Sequence, residues 1–220
     1  LLSPVEAEAL AAQFWKVDSG LQAILAASLA MQTLLARFGV HPDMIVGHSA
    51  GEYCAWIASG ILEIGDLYRH QERIAGIYGA HRDPVETAMV AVSSRFDKIQ
   101  PMVEGLGCPI YISNDNCPHQ VVVVGEAAAV ALLKAQLKAQ NILFTDLPSR
   151  EVHHTPLAAP QAEPLFQTYS ELAVSPARVP VYSAITTAPY PDQAPEIVRL
   201  MTDYWLQRLN FRRTVEAMYQ

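Results

Sequence analysis

The run Met44-Ile45-Val46-Gly47-His48-Ser49-Ala50-Gly51-Glu52-Tyr53 limits the fold more than any other part of this 220-residue chain. Apolar residues lead into a serine set between two glycines, and small and aromatic residues follow. A strand-to-helix turn with an incidental serine is one reading. The other is a nucleophile elbow, G-x-S-x-G, which lifts the hydroxyl on a strained turn and needs glycine where a side chain would strike the strand or helix. Context decides. His41-Pro42-Asp43 turns the chain into a strand at 44–46, and 52–59 reads as a helix stopped at Gly60. That strand–turn–helix order favours the elbow and predicts an α/β fold.

The flanking sequence supplies the rest of the core. Ser3-Pro4 opens a helix over 4–14, with Glu6 as capping-box partner of Ser3. Asp18-Ser19-Gly20 is expected to break the chain before a long helix from Leu21 to Phe38, closed by Gly39. A further helix is expected over 66–78, and "GAHRDPVE" marks a boundary. Beyond it the pattern reads strand 88–94, helix 96–105, strands 109–113 and 120–125, helix 127–140, strand 141–147. This βαββαβ order is the split-βαβ, ferredoxin-like unit. After Pro148 come a helix over 161–173, a strand over 179–184 and a mostly helical 194–218. The expected architecture is an α/β-hydrolase-like core, residues 1–86 and 149–220, carrying a ferredoxin-like subdomain over 87–148.

Composition narrows the function classes. A net charge of −7 without a Lys/Arg cluster argues against nucleic-acid binding. The apolar stretch 21–40 is interrupted by Gln22, Ser28, Gln32, Thr33 and Arg37, so a buried core helix is expected rather than a membrane span. Cys54, Cys108 and Cys117 lack a metal-ligand rhythm and read as reduced thiols of a cytoplasmic protein, with no metal expected. No signal peptide is read at the start.

A serine hydroxyl needs a base, and histidine suits the role near neutral pH. His41 and His119 sit in proline turns, and His70 and His81 in helical or loop stretches with solvent access. His48 adjoins Ser49, but neighbours on an elbow point apart. His153-His154, just after the subdomain, remains.

Four segments, "GVHPDMIVGHSAGEY", "SNDNCPHQVVVVG", "HHTPLAAP" and "YWLQRLNFRRTVEAMY", in this order resemble the acyltransferase family. That family includes malonyl-CoA:acyl-carrier-protein transacylases and the acyltransferase domains of polyketide synthases; the first and last segments resemble the latter more. Its GHSxGE is matched by Gly47 to Glu52, its His-Ser/Thr-Pro-Leu by His154-Thr155-Pro156-Leu157, and its Asn-x-Pro segment by Asn116-Cys117-Pro118. The resemblance implies ping-pong transfer. Ser49, activated by His154, takes an acyl group from a coenzyme A thioester and passes it to the phosphopantetheine thiol of an acyl carrier protein. No bound cofactor is implied, and a multidomain synthase is the implied setting. The Ala50 N–H is the implied oxyanion donor, a kind of contact typically worth about 3–4 kcal/mol in the barrier. The family's second donor, in an N-terminal Gly-Gln-Gly segment, and the glycine-rich part that orients the histidine have no counterpart here. The expectation is that the chain is trimmed at both ends and that these two groups lie outside it.

Substrate expectations rest on departures from the family pattern. Members that use malonyl units clamp its carboxylate with an arginine on the helix matching 66–78. Family spacing from Ser49 lands on Ile74; Arg73 is one residue short, about 100° around a helix. Leu67, Tyr68, Gln71, Ile74 and Tyr78 make the expected inward stripe. The family's specificity motif reads Glu151-Val152-His153-His154, unlike the usual malonyl or methylmalonyl forms. His48, Ile74, Arg73, Asn116 and His153 are therefore the candidate acyl-pocket residues. A non-carboxylated acyl group is expected, because a buried carboxylate without a cation is strongly disfavoured. Malonyl loading with Arg73, and release of the acyl group to water as a hydrolase, are the alternatives; a catalytically silent docking domain stands against both.

Overall fold

The computed structural model describes residues 3, 5–7, 10, 17–80, 86–149 and 151–220. At its start the Glu6 carboxylate accepts from the Ser3 N–H (2.8 Å), and the Ser3 hydroxyl accepts from the Glu6 N–H (3.3 Å). This is the capping box read from the sequence. Most of the helix expected over 4–14 lies outside the described residues, as do residues 81–85, with His81, and Arg150.

Helix α1 spans Val17–Arg37 and runs straight through the expected break at Asp18-Ser19-Gly20. An internal glycine costs only about 1 kcal/mol, and the leucines that follow it supply packing. The expectation of a buried core helix is also corrected. Leu25 is buried and Leu21 and Leu29 are partly so, but Ile24, Met31, Leu34, Leu35 and Phe38 are exposed. Among the described elements, the two helices that follow pack on it. Gly39, at φ +76°, ends it, with the Val40 N–H returning to the Leu35 carbonyl (3.0 Å).

Strand β1 is Ile45–Val46, α2 is Gly51–Ser59 and α3 is Ile64–Ala80. α3 turns Leu67, Ile74 and Ile77 into the core. Tyr68, expected inward, is 48% exposed, because it sits about 100° round the helix from Leu67. Next come β2 Thr87–Val92, α4 Phe96–Glu104, β3 Ile110–Cys117, β4 Gln120–Glu126, α5 Ala127–Ala139 and β5 Phe144–Leu147. These strands form one antiparallel sheet in the order β3-β4-β2-β5. Val90 stands opposite Val123, and Met89 opposite Leu147. On one face Val90, Val92, Val121 and Val123 pack with Ile99, Leu133 and Leu137 into a core of their own. β4 buries Val122 and Val124 as well, so it lies covered on both faces.

The chain then returns through a short 3-10 helix, Pro156–Gln161, to α6 Ala162–Ser170, β6 Val181–Tyr182, α7 Ala194–Asp203 and α8 Phe211–Met218. β6 pairs parallel with β1, Ile45 opposite Val181. Around this pair Tyr53, Trp56, Tyr169, Tyr190, Tyr204 and Trp205 form an aromatic core; Tyr53 and Trp56 are 4.9 Å apart edge to face. The expectation of a mostly helical 194–218 misses a break at 204–210. There the Leu209 N–H donates to Ser113 O (2.9 Å) and Leu209 O accepts from the Asp115 N–H (2.8 Å). Those backbone groups are committed to β3 and cannot close helical turns. This pairing ties the four-stranded lobe to the rest.

Candidate active site

β1 delivers the chain into Gly47-His48-Ser49-Ala50, and α2 carries it away. Ser49 sits at φ +52°, a conformation that few non-glycine residues adopt. Gly47 makes that turn possible: a Cβ there would lie 2.4 Å from the Glu52 backbone. Gly51 differs. A Cβ on it would meet nothing within 4 Å, so only the first of the two flanking glycines is demanded by space. Ala50 is the N-cap of α2, at φ −53° and ψ −23°, with its N–H among the leading amides of the helix.

His154 comes from the other end of the chain, and the two side chains meet. The Ser49 Oγ–His154 Nε2 distance is 3.1 Å. His154 Nδ1 lies 2.9 Å from the Tyr204 carbonyl. A carbonyl only accepts, so Nδ1 carries the proton and Nε2 presents its lone pair to the serine hydroxyl. The imidazole stacks on Trp205 (centroids 5.4 Å apart, planes 26° from parallel), and the His154 backbone N–H donates to the Trp205 carbonyl at 2.7 Å. Burial, reinforced by His153, pushes the His154 pKa down to about 3; the Tyr204 carbonyl opposes the fall. The imidazole is therefore neutral near pH 7. Thr155 fixes the next turn: its hydroxyl donates to Val152 O (2.6 Å) and accepts from the Leu157 N–H (3.3 Å).

This arrangement corrects one expectation. The group that orients the histidine lies within the chain, as the main-chain carbonyl of Tyr204. The residue number could not be read from the sequence, although the adjacent Tyr204-Trp205 pair stands in a segment that carries the resemblance.

The remaining candidates divide. His48 points away from Ser49: its Nε2 donates to Asn116 Oδ1 (2.8 Å), and its ring edge meets Phe211 at 5.0 Å. Asn116, from β3, in turn donates to Gln120 Oε1 (2.9 Å). His48 and Asn116 thus join the elbow to the antiparallel lobe. His153 is tucked edge-on against Trp205 (5.6 Å), and burial lowers its pKa to about 4. Arg73 and Ile74 stand on α3. Arg73 is exposed and donates to Glu171 Oε1 (2.7 Å) at the end of α6. Ile74 is buried and lines a cavity of about 480 Å³ between α1 and α3, shared with Leu21, Gln22, Leu25 and Gln71. Neither Ser49 nor His154 borders that cavity.

A second hollow, about 500 Å³, does border the histidine. It lies between the antiparallel lobe and the core, walled by Val103, Ile110, Ile112, Pro156 and Arg208 around His154. Among the described residues no three His, Cys, Asp or Glu side chains are grouped to hold a metal ion. No described helix is long and apolar enough to cross a membrane.

A serine on a strained turn, touching a neutral histidine whose far nitrogen is fixed, can perform nucleophilic acyl chemistry. The sequence pattern of the family described as the acyl transferase domain matches residues 5–218. The chain belongs to the acyl transferase domain family. Polyketide synthase GfsA of Streptomyces halstedii is 28% identical over 91% of this chain, which covers 3% of that synthase. The malonyl CoA-acyl carrier protein transacylase of Bacillus subtilis is 31% identical over 74% of this chain, and the match covers 53% of the transacylase. Among solved structures, the acyltransferase domain of the iterative polyketide synthase of enediyne biosynthesis superposes with a TM-score of 0.81 at 25% identity. That match covers 91% of this chain and 53% of the other. This acyl transferase domain thus spans about half the length of the transacylase and of that solved chain, and it shares the α/β fold of the solved one.

Proposed function

We propose that this acyl transferase domain moves an acyl group from a coenzyme A or carrier-protein thioester to the phosphopantetheine thiol of an acyl carrier protein, through an ester on Ser49. The 3.1 Å contact between Ser49 Oγ and His154 Nε2 carries the reading. His154 takes the hydroxyl proton as Oγ attacks the thioester carbonyl, and the leaving thiolate recovers that proton. The Ala50 N–H, at the head of α2, is placed to receive the developing oxyanion. The carrier's thiol then repeats the sequence in reverse. A multidomain synthase is the setting that the similarity to polyketide synthases supports.

The acyl group we propose is a neutral one. Arg73, the candidate nearest the family spacing for a carboxylate clamp, already has Glu171 as partner on the surface, Ile74 offers no charge, and Arg208, beside His154, is engaged by Asn210 Oδ1 (3.1 Å) and the Phe96 ring (4.4 Å). A buried carboxylate without a cation is costly. The transacylase names among the relatives favour malonyl as the competing substrate. Both readings meet one experiment: incubate the protein with a panel of acyl-CoAs and weigh it. The expected result is a mass increase with acetyl- or longer acyl-CoA, absent in Ser49→Ala and discharged by carrier protein faster than by water. Faster loading by malonyl-CoA overturns the neutral-acyl assignment; discharge by water alone makes the domain a hydrolase.

A further inference from the structure

The catalytic pair is 105 residues apart in sequence, yet both members are referenced to one side chain and its own backbone. The Tyr204 hydroxyl accepts from the Ser49 N–H at 3.0 Å and donates to the Gly47 carbonyl at 3.3 Å. It thereby bridges the two ends of the elbow, Gly47 and Ser49, from below. The same residue's carbonyl holds His154 Nδ1 at 2.9 Å, and the next carbonyl, of Trp205, holds the His154 N–H. Tyr204 is fully buried, and its burial keeps the phenol protonated well beyond the usual tyrosine range. The hydroxyl proton is therefore always available to Gly47 O, and an oxygen lone pair to the Ser49 N–H.

We infer that Tyr204 is a positioning residue whose hydroxyl holds Ser49 in its left-handed conformation and sets the distance from Oγ to His154. Resting on the acyl-serine reading above, it deepens that reading. A serine at φ +52° relaxes toward ordinary backbone conformations unless its amide is tied, and the amide here is tied to the phenol. Relaxation swings Oγ away from an imidazole that is itself fixed by main-chain carbonyls. The bland alternative is a core tyrosine whose hydroxyl has simply found partners.

The test uses a fluorophosphonate probe, which reports the reactivity of Ser49 without depending on the natural thioester. Labelling rates are measured on the full chain against probe concentration and pH, alongside thermal unfolding, for wild type, Tyr204→Phe and Tyr169→Phe. Tyr169 is equally buried in the same aromatic core, and its hydroxyl pairs at 2.6 Å with that of Tyr53 on α2 instead of with the elbow backbone. In Tyr204→Phe the maximal labelling rate is expected to fall about 10- to 100-fold, the size of effect that an ångström of misplacement produces. The half-saturating probe concentration and the pH midpoint stay as in wild type, because His154 keeps its carbonyl. Tyr169→Phe labels at the wild-type rate. The inference is overturned if Tyr204→Phe labels like wild type, if Tyr169→Phe loses as much, or if Tyr204→Phe does not fold. In that last case the hydroxyl holds the core and not the elbow. A wild-type protein that takes the probe but no acyl thioester refutes the transferase reading and leaves the comparison of variants intact.

Discussion

At the residue scale the unusual feature is a histidine that touches the elbow serine while buried and uncharged. With its pKa at about 3, His154 needs no deprotonation near neutrality to act as the base of the proposed transfer. The acylation rate is therefore expected to show no acid limb between about pH 6 and 8, where a solvent-exposed histidine would titrate. A pH–rate profile of single-turnover acylation checks this. His154→Ala should slow acylation at least about 10²-fold, the usual share of a positioned base, with folding kept. The same burial has a cost in acid. His153 and His154 have folded-state pKa values lowered to about 4 and about 3, so the unfolded chain binds protons that the folded chain refuses. Their contribution to stability is complete above about pH 6.5 and drains away as the pH falls toward 4 and 3. Thermal unfolding followed from pH 7 to pH 4 should show the melting temperature dropping, and His153→Leu should lessen the drop.

At the scale of the element, the elbow and α2 behave as one unit with a buried acid beneath it. Gly47→Ala places a Cβ 2.4 Å from the Glu52 backbone, so either the turn opens or the helix shifts. Overpacking of this kind costs about 1–3 kcal/mol, and labelling of Ser49 should fall with it. Gly51→Ala meets nothing within 4 Å and should be tolerated, which separates the two glycines of one motif. Glu52 is fully buried, accepts from the Tyr190 hydroxyl at 2.8 Å and has its pKa raised to about 8 by burial. The fold therefore prefers the protonated acid. Its contribution is complete below about pH 4.5 and is lost as the pH rises through 8. Glu52→Gln should remove the loss of melting temperature that Glu52 causes between about pH 5 and 8, leaving the variant about 2–4 °C above wild type at pH 9 for each ~1 kcal/mol removed.

Over the whole molecule, two hydrophobic cores meet along a seam that the 204–210 segment and α8 close. Beside the Leu209 pairing, Arg212 donates to Asp115 Oδ2 at 2.9 Å, and the Asp115 side chain is only 3% exposed. His48 and Asn116 span the same seam next to the serine. Removing the guanidinium leaves a buried carboxylate with no hydrogen-bonded cation and only the more distant charge of Arg208; breaking a fully buried pair costs about 3–5 kcal/mol, and Arg208 lessens that here. Arg212→Ala should lower the melting temperature by several degrees, whereas Arg178→Ala, which breaks an exposed pair with Glu63, should leave it within a degree or so. Because the hollow beside His154 is walled from both sides of the seam, loss of Arg212 should also slow acylation at low acyl-CoA concentration.

The elements that the sequence determined are the ones whose signals are local. The elbow was legible because a strand, a tight glycine-flanked serine and a helix occupy consecutive residues. The α4–α5 lobe pattern was legible because its alternation of periods two and 3.6 is written along the chain. Ser49 and His154 could be singled out by chemistry and resemblance, but their 3.1 Å meeting depends on a contact across 105 positions. Three features only the tertiary structure decided. Tyr204 became the histidine's orienter because the helix expected over 194–218 yields its backbone to β3 at Leu209. Arg73 became a surface ion pair because Glu171 stands opposite it at the end of α6. α1, apolar enough to read as wholly buried, keeps only one stripe inside, where the two following helices pack on it. Periodicity states which residues share a face; what that face meets is set by distant parts of the chain.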